Sequence, residues 1–73
     1  MNTSQAHEIY EFWLAEQQRL DPKLSIRYIA GMTGKGHSSI QAAIRILVKE
    51  GLAVPVPTGE TGTRQRYQMI ERK

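Results

Sequence analysis

The residues whose types are suited to chemistry lie close together near the middle of the chain. Residues 31–36 contain three glycines and Lys35, which is the composition of a phosphate-binding loop. His37 then precedes Ser38 and Ser39, so a possible base adjoins two possible nucleophiles. The glycine spacing does not fit such a loop, and adjacent residues at a helix start do not face each other productively. Neither pattern therefore predicts a catalytic centre.

The composition excludes several other kinds of site. The 73 residues include no cysteine, which rules out disulfides, thiolate metal ligands and cysteine nucleophiles. His7 and His37 lack the spacing of a metal site. A chain of this length has little material for a deep substrate cavity. We therefore predict no enzyme, no cofactor and no metal.

Hydropathy predicts where the chain resides. No apolar run exceeds four residues, so no membrane-spanning helix is expected. The sequence begins Met-Asn-Thr-Ser-Gln, without the basic and then apolar pattern of a signal peptide. These features predict a cytoplasmic protein of one domain, residues 1–73.

Charge is distributed unevenly along the chain. Residues 1–22 hold four acids and one base, a net charge of −3, whereas residues 23–73 hold nine bases and three acids, a net charge of +6. A basic surface attracts polyanions, of which nucleic acid is the commonest. Charge alone leaves open a solvated surface that happens to be basic.

The elements that must position these residues begin with an amphipathic helix. It runs from about residue 4 to 19, with Thr3 or Ser4 as its N-cap, and ends before the proline at 22. Its predicted apolar stripe is Ala6, Ile9, Trp13 and Leu20. Its predicted solvent face is Glu8, Glu11, Glu16 and Gln18.

Two further helices are predicted at 26–32 and 37–50, separated by a glycine-containing turn at 33–36. Ser25 caps the earlier helix and Gly51 ends the later one. The apolar stripe of the later helix is Ile40, Ala43, Ile44, Leu47 and Val48.

The hydrophobic period changes from 3.6 to 2 after Gly51, which indicates strands. Residues 52–57 form a strand that its prolines confine to a sheet edge. Residues 58–63 form a loop, and a second strand over 64–71 completes a hairpin. Leu24-Ser25 adds a short strand. The predicted fold class is α+β, with three helices, a short strand and a C-terminal β-hairpin.

This order of elements resembles winged helix-turn-helix DNA-binding domains, most closely the N-terminal domain of LexA-type repressors and more loosely GntR-type and MarR-type regulators. The resemblance is carried by the following runs: Leu24 to Ala30, Thr33-Gly34, Ser38-Ser39-Ile40 and Leu47 to Leu52. It covers most of the chain, from about Ile9 to Tyr67. It implies a small transcriptional regulator, such as a repressor, that binds double-stranded DNA in a sequence-specific way.

The resemblance implies that the third helix enters the major groove. The residues that would then read or approach bases are His37, Ser38, Ser39, Gln41, Ala42 and Arg45. Their chemistry suits this role, because glutamine bonds adenine, arginine bonds guanine and an alanine methyl contacts a thymine methyl. The alternative is a solvated polar face, against which the small side chains at 38, 39 and 42 argue.

In this resemblance the hairpin corresponds to the wing, about residues 57–66. The wing would contact the DNA backbone or the minor groove. The predicted phosphate or wing contacts are Lys23, Arg27, Lys35, Lys49, Thr61, Thr63, Arg64 and Arg66. Glu60, near the wing tip, opposes this assignment because a carboxylate repels phosphate.

Two other functions stay open at this point. One is the DNA-binding module of a replication or partition protein, and the other is a winged helix that contacts another protein. The chain could also be a domain of a larger parent protein or form a homodimer. Tyr10, Phe12 or Leu14 of the first helix, or the strand containing Ile70, would supply a modest dimer interface if exposed.

Overall fold

Helices and antiparallel strands make up the computed structural model, which describes residues 2–20 and 24–72. The helices are α1 (Thr3–Arg19), α2 (Ile26–Thr33) and α3 (His37–Lys49), and the strands are β1 (Leu24–Ser25), β2 (Ala53–Pro55) and β3 (Arg66–Met69), with a 3₁₀ turn at Gly62–Arg64. The predicted α+β class is confirmed. The predicted helix stop at Asp21-Pro22 and the candidate Lys23 lie outside the described residues.

The start of α1 differs from the prediction. Its N-cap is Asn2, whose side chain accepts a hydrogen bond from the backbone N–H of Gln5 at 2.8 Å. The Gln5 side chain in turn accepts from the Asn2 N–H at 3.2 Å, which completes a capping box. Thr3 and Ser4 were wrong as caps: both are already helical, because the reciprocal bonds between Asn2 and Gln5 start the helix at Thr3.

The core lies where the three helices meet. Helix α3 buries Ile40, Ala43, Ile44 and Leu47, and α1 and α2 both pack against it. Two predicted stripe residues are instead exposed: Val48 is 42% exposed and Leu20 is 50% exposed. Leu20 follows the last helical residue with φ −119° and ψ −115°, so its side chain leaves the helical stripe.

Tyr10 is not available for the dimer interface that the sequence left open. Its ring is buried, and its hydroxyl donates a hydrogen bond to the backbone carbonyl of Ile70. Phe12 and Leu14 are partly buried against the core, whereas Ile70 is 40% exposed.

A buried carboxylate ties α1 to α2. Glu16, expected on the solvent face, is buried; it accepts a hydrogen bond from Arg19 at 3.1 Å and another from the Tyr28 hydroxyl at 3.0 Å. Desolvation of the Tyr28 hydroxyl and its bond to Glu16 raise the Tyr28 pKa above its ordinary value. The prediction for Glu16 failed because helical spacing does not show which polar residue meets another helix.

The sheet has the order β1-β3-β2, with both pairs antiparallel. Strand β2 is an edge strand, as its prolines predicted. It is shorter than predicted, and Ala53 is its buried residue, whereas Val54 is 41% exposed.

A glutamine from α1 continues the sheet where β1 stops. The backbone N–H and carbonyl of Met69 point away from β2, because the next residue, Ile70, donates to the Leu52 carbonyl on the β2 side and successive residues of a strand bond in opposite directions. On the other side, Gln17 donates to the Met69 carbonyl and accepts from the Met69 N–H, both at 2.8 Å. One side-chain amide thus supplies the two bonds that a strand residue would make.

Replacing Gln17 by Leu should lower the free energy of unfolding by about 1–3 kcal/mol, because the substitution leaves a buried backbone donor and acceptor unpaired. Urea denaturation measures this loss, and faster hydrogen exchange of the Met69 amide should accompany it. Gln18→Leu is the matched control, because the Gln18 amide bonds only the exposed Glu71 carboxylate. Equal stability of the two variants would contradict the assigned role.

Candidate functional site

The outer face of α3 carries the residues that sequence analysis selected for base contact. His37, Ser38 and Arg45 are exposed, and Ser39, Gln41 and Ala42 are half-buried. The opposite side of the helix is fixed in the core by its four buried residues. Gly36 is the N-cap of α3. Because glycine has no side chain, the first N–H groups of the helix receive no hydrogen bond from a capping side chain. The face is therefore rigidly held and polar, and its first two turns carry small side chains.

One open depression lies beside the start of α3. It is lined by Lys35, Ser38, Ser39 and Ala42, together with Gln5 of α1. The small side chains make room here, and the Lys35 ammonium stands at the edge with no ion pair among the described residues. An anionic group can reach the helix start at this point.

A second depression separates α3 from the hairpin. Gln41 and Arg45 line one wall, and the 3₁₀ turn with Gln65 lines the other. Apolar side chains contribute the rest of the lining: Ile26, Ile44 and Tyr67. The depression thus combines two side chains with hydrogen-bond donors and an apolar component, a combination suited to the edge of a base.

A third depression gathers the arginines of the other candidate set. Ser25, Arg27, Arg64 and Arg66 line it, and so does Glu60. Arg66 donates a hydrogen bond to Glu60 at 2.9 Å. This bond, with a lesser contribution from Thr58, lowers the pKa of the Glu60 carboxyl below its ordinary value, so the carboxylate is charged at neutral pH. Part of the positive charge here is therefore already neutralised.

The hairpin loop lies back against α2 instead of extending freely. The Gln65 carbonyl accepts from the Ile26 N–H at 3.2 Å, and the Gln65 side chain donates to the Val56 carbonyl at 3.3 Å. Within the loop, Gly59 and Gly62 adopt φ values of +82° and +64°, which favour glycine. This folding brings Thr61 and Arg64 beside α3 and α2 respectively.

The three depressions are neighbours on one surface. Residues 38, 42 and 45 lie on successive turns of one face of α3, and this face connects the first depression with the second. The 3₁₀ turn, with Gly62 in the second depression and Arg64 in the third, joins the other two. We call this continuous region, from Lys35 through α3 to Arg27, the α3–hairpin surface.

Ion pairs separate the described cations into two groups. Arg19, Arg66 and Arg72 pair with Glu16, Glu60 and Glu11. The described lysines and arginines with no ion pair to a described residue all lie on α2, the following turn, α3 or the 3₁₀ turn: Arg27, Lys35, Arg45, Lys49 and Arg64. The positive charge of the described residues that no ion pair neutralises is thus concentrated around the α3–hairpin surface.

Most predicted site residues reach this surface. Thr63 is half-buried within the 3₁₀ turn, and Lys49, in the last turn of α3, is exposed one turn beyond Arg45. The sequence analysis missed Gln5 and Gln65, which line the first and second depressions. Only the capping-box spacing from Asn2 marks Gln5 beforehand, and no sequence pattern marks Gln65, whose role depends on the loop's path.

Two other kinds of site are absent from the part of the chain that the structure describes. Across residues 2–20 and 24–72, no group of three or more His, Cys, Asp or Glu side chains is arranged to hold a metal ion. None of the described helices is both long and apolar enough to cross a membrane.

Comparisons with known proteins identify no relative of this chain. Scans of the chain against protein-family models, curated proteins and solved structures find no match.

Proposed function

We propose that this protein is a winged helix-turn-helix domain that binds double-stranded DNA in a sequence-specific way, as a small transcriptional regulator. In this proposal α3 enters the major groove, and the hairpin acts as the wing on the adjacent backbone or minor groove. The order of helices and the three-stranded antiparallel sheet are compatible with that fold.

The observation that carries the proposal is the separation of charge. Two acidic side chains of α1 pair with cations away from α3: Glu16 with Arg19 and Glu11 with Arg72. The cations without ion pairs surround α3 instead. A polyanion that approaches this surface therefore meets positive charge that no described carboxylate neutralises, and phosphates gain from each contact.

The shape of α3 supports DNA in preference to a general polyanion. Ser38, Ser39 and Ala42 let another surface approach the helix backbone closely, while Gln41 and Arg45 extend beyond them. These two side chains can bond the edges of adenine and guanine. An exposed helix face without a partner is more often filled with long charged side chains.

The experiment is a titration of a fluorescent random-sequence duplex at several salt concentrations. If Arg27, Lys35, Arg45, Lys49 and Arg64 each neutralise one phosphate, log affinity against log salt should have a slope of about −4.5. Replacing Arg27, Lys35, Lys49 or Arg64 by Ala should make the slope shallower by about 0.9 and weaken all sequences alike, whereas the loss for Arg45→Ala can also depend on sequence, because Arg45 can bond a guanine.

Arg72→Ala is the matched control, because it removes the same charge from the paired group and should leave the slope unchanged. A slope near zero for the unmodified protein would contradict DNA binding and favour a winged helix that contacts another protein.

A further inference from the structure

We propose that Gln65 is a specificity-determining residue of the α3–hairpin surface: its side-chain amide presents a fixed hydrogen-bond acceptor that selects a base with an exocyclic amino group, adenine or cytosine. This inference rests on the proposed function, and it adds a base-reading residue outside α3. Gln65 follows the 3₁₀ turn and directly precedes β3.

Two backbone carbonyls fix the direction in which the Gln65 amide points. Its nitrogen donates to the Val56 carbonyl at 3.3 Å and to the Arg66 carbonyl at 3.0 Å. A carbonyl only accepts hydrogen bonds, so the amide nitrogen, and not the amide oxygen, must face these two groups. Both amide hydrogens of Gln65 are thus bound to the backbone of the hairpin.

The amide oxygen is the hydrogen-bonding group of Gln65 that stays available. The backbone N–H of Gln65 donates to the Gly62 carbonyl, and its backbone carbonyl accepts from the Ile26 N–H, both at 3.2 Å. Among the described residues, the Trp13 indole nitrogen is the only buried side-chain nitrogen or oxygen without a hydrogen bond. The Gln65 oxygen, which accepts no bond from a described residue, is therefore open to solvent.

The second depression combines this acceptor with donors on the opposite wall. Gln65 and the 3₁₀ turn line one wall, and Gln41 and Arg45 of α3 line the other. In the major groove, adenine presents its N6 amino group beside the N7 acceptor, and cytosine presents its N4 amino group. Gln65 would accept from either amino group, and at an adenine a side chain of α3 would donate to N7.

The fixed orientation makes the residue selective. Guanine and thymine present the oxygens O6 and O4 where adenine and cytosine present amino groups. A mobile glutamine would turn its nitrogen toward such an oxygen and lose little affinity. Gln65 would first have to break both of its bonds to the hairpin backbone, so it disfavours these two bases.

The test is a double-mutant cycle between the protein and a DNA site selected from a random duplex pool. Gln65→Met keeps the side-chain length and removes the amide. Each adenine of the site is replaced in turn by purine, and each cytosine by pyrimidin-2-one, which lack the amino group. At one position this removal should weaken binding of the unmodified protein about fivefold more than binding of the variant, the size of one neutral hydrogen bond. The arm that shows the coupling, adenine or cytosine, identifies the base.

The cycle separates base recognition from support of the loop. Loss of the bonds to the Val56 and Arg66 carbonyls loosens the loop, which weakens binding to every sequence alike and cancels in the coupling. Gln68→Met is the matched control: Gln68 is an exposed glutamine of β3, on the face of the sheet opposite to its neighbour Tyr67, which lines the depression. It should show no coupling to any amino group.

A second measurement needs no protein variant. At the same position, hypoxanthine paired with cytosine, or uracil paired with adenine, puts an oxygen where the amino group was. The unmodified protein should bind this duplex more weakly than the duplex that only lacks the amino group, because the locked amide cannot turn its nitrogen toward the oxygen. Affinity equal to that of the original site would overturn the proposal.

The outcomes separate this inference from the proposed function. If the unmodified protein binds no duplex, the proposed function fails and this inference fails with it. If it binds a selected site and no adenine or cytosine amino group is coupled to Gln65, DNA binding stands and the role of Gln65 is overturned. Equal coupling in Gln68→Met also overturns it.

Discussion

Replacing Leu47 by Ala should lower the free energy of unfolding by about 2–5 kcal/mol, because the substitution opens a cavity where α3 meets the rest of the core. Leu47 is fully buried, and its backbone carbonyl also accepts from the Leu52 N–H at 2.8 Å as the chain turns toward β2. A 73-residue domain has a total stability of about 4–11 kcal/mol, at roughly 0.05–0.15 per residue. The variant should therefore lose a large fraction of its stability.

Urea denaturation followed by circular dichroism measures this loss. Val48→Ala is the matched control, since the neighbouring side chain is 42% exposed and its truncation should change stability by less than about 1 kcal/mol. A Leu47 variant as stable as the Val48 variant would contradict the placement of α3 in the core.

Sequence patterns predicted the helices more closely than the strands, because the signals of helix ends are local; the strand predicted over 64–71 covers only Arg66–Met69 and is preceded by a 3₁₀ turn. The Ser25 hydroxyl accepts from the Tyr28 N–H at 3.1 Å, as expected for the N-cap of α2. Gly51 has φ +75°, as expected for a glycine that ends a helix. A short polar side chain before a helix and a glycine after it act within a few residues, so the sequence alone reveals them.

Contacts between distant segments were not predictable in the same way. Glu16 and Gln17 are polar residues, and a helical wheel does not show which group elsewhere in the protein either of them contacts. Both are engaged because the fold brings α2 and β3 against α1, with the Gln17–Met69 contact spanning 52 residues of sequence. Which polar side chain meets an unpaired backbone group depends on register, and register is a property of the whole fold.

The same distinction applies to the candidate site. The face of α3 follows from helical periodicity, so the positions of Ser38, Gln41 and Arg45 relative to the core were predictable. The hairpin loop was not: its 3₁₀ turn and the Glu60–Arg66 pair depend on backbone conformations that glycines permit but do not specify. Sequence therefore located the cations, and the structure identified which of them are already paired.

Replacing Gln41 by Ala should cost about 1–3 kcal/mol of binding free energy on the preferred DNA site and much less on random DNA. Gln41 and Arg45 are one turn apart and both line the depression between α3 and the hairpin. Arg45 is charged and can gain from either a guanine or a phosphate. Gln41 is uncharged and gains little from phosphate, so a base edge is its more favourable partner.

The measurement uses two duplexes at one salt concentration, one carrying a site selected from a random pool and the other of random sequence. The salt slope of the variant should equal that of the unmodified protein, because no charge is removed. Gln18→Ala is the matched control: this glutamine lies on α1 and bonds Glu71, so neither affinity should change. Equal losses on the two duplexes, or none on either, would exclude Gln41 from base recognition. Discrimination would then depend on Arg45, on the start of α3 or on DNA shape.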